Sequence, residues 1–234
     1  MLDQIFRSPF SFGVEVPIVL IILIALEAVL SADNAIALAA IAQGIADPKL
    51  QRTALNLGLL VAYILRMSLI LTATWVVQFW QFQFLGAVYL LWLVYQYFAS
   101  DEEDEDHRSG PKFDSLWQAI PTIAITDLAF SLDSVTTAIA VSKETWLVLT
   151  GATVGIIALR FMAGLFIRWL DEYTHLKTAG YITVGFVGVR LLVRSINDSM
   201  FPNIELVPPE WLMITLIAAV FIWGFSKKTL TEEK

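Results

Sequence analysis

Long apolar runs alternate with short polar connections along this chain, and the runs have the length of helices rather than strands. A helix needs roughly 20 residues to cross a hydrocarbon core. Runs that reach or approach this length extend from Val16 to Ala42, Leu55 to Trp80, Phe82 to Ala99, Leu116 to Val141, Trp146 to Trp169, Ala179 to Arg194 and Trp211 to Phe225. The pattern predicts an all-α, polytopic transmembrane bundle of seven spans. Met1 to Glu15 carries Asp3, Arg7 and Glu15 with no unbroken apolar core, so the opening segment reads as an extracytoplasmic tail and the first span as retained rather than cleaved.

Composition agrees: 57% of residues are hydrophobic and 16% charged, with a mean hydropathy of +0.69. Orientation follows from the basic residues in the connections, because cytoplasmic loops collect Lys and Arg. One face gathers Lys49, Arg52, Arg108, Lys112, Arg168, Lys177, Lys227, Lys228 and Lys234; the other has only Arg7, Lys143 and Arg194. This places the amino terminus outside and the carboxyl terminus in the cytoplasm of a multi-pass membrane protein. Arg66, Arg160 and Arg190 fall within spans.

Two segments share a pattern. Glu27 and Asp33 align with Asp127 and Asp133 at an offset of 100; beyond the first connection the offset becomes 94, so that Arg66 falls on Arg160 and Leu85-Gly86 on Ala179-Gly180. Each unit holds three spans, and an odd number makes the second copy enter the membrane from the opposite side. The expected organisation is therefore a tail (1–15), a first three-helix repeat (16–99), an acidic cytoplasmic linker (100–115), an inverted second repeat (116–196), and a seventh helix with a cytoplasmic tail (197–234). Inverted repeats place equivalent residues of both halves near the midplane, where secondary transporters bind their substrates.

The four acids stand in segments otherwise apolar enough to span, and an ionised side chain at bilayer depth costs at least about 2.5–3.5 kcal/mol on insertion scales. On a regular helix Glu27, Ser31 and Asn34 share a face, as do Asp127, Ser131 and Ser134. Asp33 and Asp133 would point elsewhere, toward a neighbouring helix where Arg66 and Arg160 are candidates to meet them. Alternatively the helices are locally unwound and carboxylate and carbonyl oxygens converge. The chain has no Cys, and its two histidines, His107 and His175, fall in connections. Oxygen-only ligands suit manganese, magnesium or calcium. A metal binding among crowded carboxylates can displace protons, which makes protons a candidate coupling ion. The bland alternative is that the acids are structural partners of the buried arginines, and that Ser31, Asn34, Ser131 and Ser134 only join helices.

The segments EAVLSADNAIALAAIA and TDLAFSLDSVTTAIAVS, each followed by a span bearing an Arg, resemble the TerC family of integral membrane proteins, named for tellurium resistance and including manganese exporters. The resemblance runs from the first span through the sixth. It implies that Glu27, Asp33, Asn34, Asp127, Asp133 and Ser134 bind metal, and that the function is Mn2+ efflux by alternating access.

Competing expectations are a non-transporting scaffold in metal or tellurite stress, and an exporter of another small cation such as a cationic amino acid. No nucleophile–base or cofactor fingerprint points to an enzyme, no cofactor beyond the transported ion is implied, and nothing suggests nucleic acid as a partner. Asp101-Glu102-Glu103-Asp104-Glu105-Asp106 reads as a solvated linker or, more sharply, a low-affinity cation collector. Gly151 with Gly155, and Gly180, Gly185 and Gly188, read as close helix packing, with homodimerisation a less favoured use.

Overall fold

The computed structural model describes residues 15–76, 79–99, 113, 115–200 and 207–228. The amino-terminal tail, the acidic run with His107 and the last residues of the chain lie outside them. Seven α-helices are described: α1 (Glu15–Ala42), α2 (Pro48–Val76), α3 (Trp80–Ala99), α4 (Leu116–Val141), α5 (Thr145–Glu172), α6 (Leu176–Met200) and α7 (Glu210–Gly224). No strand is present among the described residues beyond one isolated bridge between Tyr173 and Lys228. Five stretches are long and apolar enough to cross a membrane: Pro48–Ala73 within α2, and α3, α4, α5 and α6.

Helix is the natural form of these runs because it satisfies every interior backbone group without solvent. Hydroxyls follow the same logic. In α4, Thr122, Thr126, Ser131, Thr136 and Thr137 each donate to the carbonyl four residues back. Polar side chains are thereby accommodated inside an apolar helix.

Boundaries differ from the sequence expectation most clearly at three points. α2 begins at Pro48 rather than Leu55, since proline suits the first helical position and the Asp47 carboxylate accepts from the Lys49 N–H at 2.7 Å, capping the first turn. α6 runs past Arg194 to Met200; its last turns are polar, with Asn197 and Asp198, so hydropathy fades before the helix ends. Trp80 opens α3 instead of closing α2.

Helix packing has a distinct order. α1 lies most extensively along α5, α2 along α4, and α3 along α6; lesser contacts join α1 to α4, α2 to α5, α1 to α6 and α3 to α4. Exchanging α1–α3 with α4–α6 leaves this set of neighbours unchanged. α7 packs against α6, and its end meets the α5–α6 corner, where Phe221 stacks on Phe166 and Trp223 on His175.

Four helices, α1, α2, α4 and α5, form the centre. One apolar cluster fills one end of it, with the Ala35–Ala42 segment of α1, Leu55, Leu59, Ile123, Leu159 and their neighbours. A smaller cluster fills the other end, with Leu23, Leu69, Ile70, Val135, Val148 and their neighbours. Outward-facing residues are strongly apolar too, for instance Ile21, Leu71, Phe161 and Ile222, each more than 60% exposed. Such a surface suits lipid contact.

Candidate functional site

Between the two apolar clusters three of the four central helices, α1, α2 and α4, change character. Reading along α2, Leu55, Leu59 and Ala62 belong to the first cluster, Leu69, Ile70 and Ala73 to the second, and Arg66 stands between them. Glu27 takes the equivalent place on α1 and Asp127 on α4. Arg66 and Asp127 are 0% exposed and Glu27 6%.

All three meet. Arg66 Nη1 donates to Glu27 Oε1, and Nη2 donates to Asp127 Oδ1 at 3.0 Å and Oδ2 at 3.2 Å. One guanidinium thus bridges carboxylates from α1 and α4, with the planar donor fork suited to such a task. Counted as formal charges, two acids against one base leave −1 at the waist of the bundle. Ser131, also 0% exposed, donates to the Asp127 carbonyl at 2.7 Å and lies 3.4 Å from its Oδ2.

Glu27 reaches this position because α5 presents a glycine to it. A Cβ built on Gly155 would lie 2.0 Å from Glu27 Cγ, and one on Gly151 would lie 3.3 Å from Leu23 Cβ. The GxxxG of α5 therefore serves contact with α1 inside the chain. Beside the ion cluster is a cavity of about 10 Å³, space for roughly one water, lined among others by Glu27, Arg66, Ser134 and Val135. Ser134 Oγ and Arg66 Nε are buried without a partner among the described residues, as is Ser31 Oγ.

Asp133 is held elsewhere, by Arg190 Nη1 at 2.7 Å and Arg194 Nη1 at 2.8 Å, both from α6. The expectation that Arg66 or Arg160 meets Asp133 is corrected here, and its counterpart for Asp33 lies outside the described residues. Arg66 takes Glu27 and Asp127, and Arg160 donates through Nε to Asn56 Oδ1. The physical reason is the packing order: α4 lies between α2 and α3 and exposes Asp133 toward α6, while Arg160 points from α5 to the start of α2. Arg194, assigned from sequence to a connection, is instead on a helix. The four-residue spacing of Arg190 and Arg194, which puts both on one face, was the signal that marks it.

Both motif helices are continuous, so the unwound alternative is not what this structure adopts. Asn34 is buried, at 4% exposure. The Asp33 side chain lies outside the described residues. Among the described residues no three acids or histidines gather closely enough to hold a metal ion. In this conformation arginines lie against Glu27, Asp127 and Asp133, the motif acids whose side chains are described.

Comparison with known proteins bears on this arrangement. The model of the family described as "Integral membrane protein TerC family" matches residues 13–231. The chain is 32% identical over 226 residues to the uncharacterized membrane protein YceF of Bacillus subtilis, covering 94% of this chain and 83% of that one. It is 30% identical over 196 residues to YkoY of the same organism, covering 76% of this chain and 60% of that one. Similarity extends to the chloroplastic thylakoid membrane protein TERC of Arabidopsis thaliana, 27% identical over 198 residues, with 72% of this chain and 52% of that one covered. No solved structure matches the chain.

Proposed function

Since the chain belongs to the TerC family of integral membrane proteins, we propose that it is a secondary transporter that exports a divalent cation, Mn2+ foremost, across a bacterial inner membrane by alternating access. The proposal includes seven spans, two inverted three-helix repeats, an outside amino terminus and a cytoplasmic carboxyl terminus. The exchange of neighbours between α1–α3 and α4–α6 supports the inverted repeat.

The observation that carries the reading is the shared guanidinium. Glu27 and Asp127, equivalent residues of the two repeats, are drawn to one cation at the waist of the bundle, and an apolar plug closes the route on each side. Arg66 stands where a cargo cation would be attracted. Loading requires the guanidinium to yield its hold on the carboxylates, and unloading lets it return, so the empty carrier never exposes two bare acids to an apolar interior.

Glu27 and Asp127 supply the charge in this scheme, and Ser134, with its unpartnered hydroxyl, supplies a neutral oxygen. Asn34 and Asp33 complete the shell from α1. Asp133 joins only by leaving Arg190 and Arg194, and in the arrangement described it ties α4 to α6. Displaced protons are the proposed counter-flow. The small volume beside Glu27 favours a single inorganic ion over an organic cation such as an amino acid.

The test is metal flux into liposomes containing purified protein, with several divalent ions and an imposed proton gradient. Wild type should move Mn2+, and Asp127→Asn should not, while eluting as a folded species in detergent. Flux in Asp127→Asn equal to wild type would remove the cluster from transport, and absence of flux in wild type would favour the scaffold.

A further inference from the structure

The smaller apolar plug is not solid. A second cavity of about 10 Å³ lies beside the first, lined by Leu69, Val76, Phe82, Gln83, Leu132, Val135 and Thr136. Val135 lines both cavities. Each cavity also has one buried oxygen without a partner among the described residues: Ser134 Oγ in the first and Gln83 Oε1 in the second. Gln83 is 4% exposed. A buried acceptor left unpaired is costly, so such a group ordinarily has an occupant to meet.

These two spaces lead one way. The first touches Glu27 and Arg66; the second reaches Val76 and Phe82, the ends of α2 and α3. Phe82 is 38% exposed, so the second space ends near the surface. The opposite plug is larger, and its α1 segment from Ala35 to Ala42 is nowhere more than 3% exposed. The bundle is therefore thinner toward the α2–α3 connection, the end that the proposed topology places outside.

We infer that Gln83 and Thr136 form a second, uncharged oxygen subsite for the cargo cation on its way out, separated from the carboxylate cluster by the Val135 side chain. The inference rests on the transport reading. Its chemistry suits release: a side-chain amide and a hydroxyl hold a hard cation with its remaining waters more weakly than two carboxylates do, so an ion that passes Val135 meets a site it can leave. Thr136 is poised for this, since its hydroxyl donates to the Leu132 carbonyl at 2.6 Å and keeps its lone pairs for a cation or its water.

The experiment combines equilibrium Mn2+ binding to the purified full-length protein, followed by electron paramagnetic resonance, with Mn2+ flux in proteoliposomes. Gln83→Glu should tighten binding at an added equivalent of Mn2+ by roughly tenfold and slow flux by trapping the ion. Gln83→Leu should lower the maximal rate by roughly fivefold. Val135→Ala should raise the rate. Unchanged binding in Gln83→Glu, or an unchanged rate in Gln83→Leu, overturns the subsite. Should Gln83→Glu fail to assemble, Gln83→Leu and Val135→Ala decide: opposite changes in rate support the subsite and any other pair of outcomes overturns it. Wild type that neither binds nor moves Mn2+ ends the transport reading itself, a result distinct from any of these.

Discussion

Replacing Arg66 by Met removes the only base that touches Glu27 and Asp127 among the described residues and leaves the volume nearly filled. The side chain is only 1% exposed, so water does not screen the loss. Each hydrogen bond to a charged group contributes about 1.5–3 kcal/mol, and two acids are served. The sum agrees with the roughly 3–5 kcal/mol lost when one partner of a buried ion pair is deleted and the other stays charged. At about 3 °C per kcal/mol for a chain of this size, the apparent Tm should fall by roughly 12 °C. Removing all the charges is a different perturbation. Arg66→Met combined with Glu27→Gln and Asp127→Asn exchanges the cluster for a neutral one of similar shape, which is often close to neutral in stability. Fluorescence-detected melting in detergent measures both proteins. Added Mn2+ should also raise the melting temperature of the single variant more than that of wild type, since the bare acids then gain a cation. If the triple variant melts as low as Arg66→Met, the loss is one of packing and the electrostatic argument fails.

Gly155→Ala puts a methyl 2.0 Å from Glu27 Cγ, so α1 and α5 must part or Glu27 must leave Arg66; the overpacking costs about 1–3 kcal/mol and Mn2+ flux should drop with it, whereas unaltered melting and flux would show the contact to be soft. Asp133→Asn leaves Arg190 and Arg194 facing each other without their acid, yet Arg194 is 22% exposed and solvent relieves part of the cost; melting should fall, but by less than in Arg66→Met. Tyr181→Phe removes a buried hydroxyl that has no partner among the described residues and keeps the 3.9 Å stack on Tyr97; stability should hold or rise by about 1 kcal/mol, and a clear loss on thermal unfolding would reveal an unseen partner of the hydroxyl.

The acids were legible in the sequence because charge inside an apolar run has no cheap explanation. Their partners were not. Sequence spacing gives the face of a helix but not its neighbour, and here α1 pairs with α5 and α2 with α4. Arg66 and Arg160 look equivalent in sequence, which suggests one arginine for each acid. In the structure Arg66 serves both acids and Arg160 turns to Asn56. That asymmetry arises from tertiary packing and has no trace in spacing. Helix ends were less legible for a simpler reason: hydropathy marks where side chains are apolar, while the α6 backbone continues through Ser195, Asn197 and Asp198. Gln83 is not legible in the sequence because a single amide near a helix start is ordinary until its surroundings are known to be closed.

The fastening of α7 has a mechanical result. Thr174 N–H donates to the Lys227 carbonyl at 3.2 Å, and Phe225 packs edge-on to both Trp169 and Tyr173. Any tilt of α5 and α6 must therefore carry α7 along as ballast, giving one half of the molecule a broader footprint among the lipids than the other. A spin label on α7 paired with one on the lipid-facing side of α2 would act as a calliper, and under the transport proposal their separation should change when Mn2+ is added.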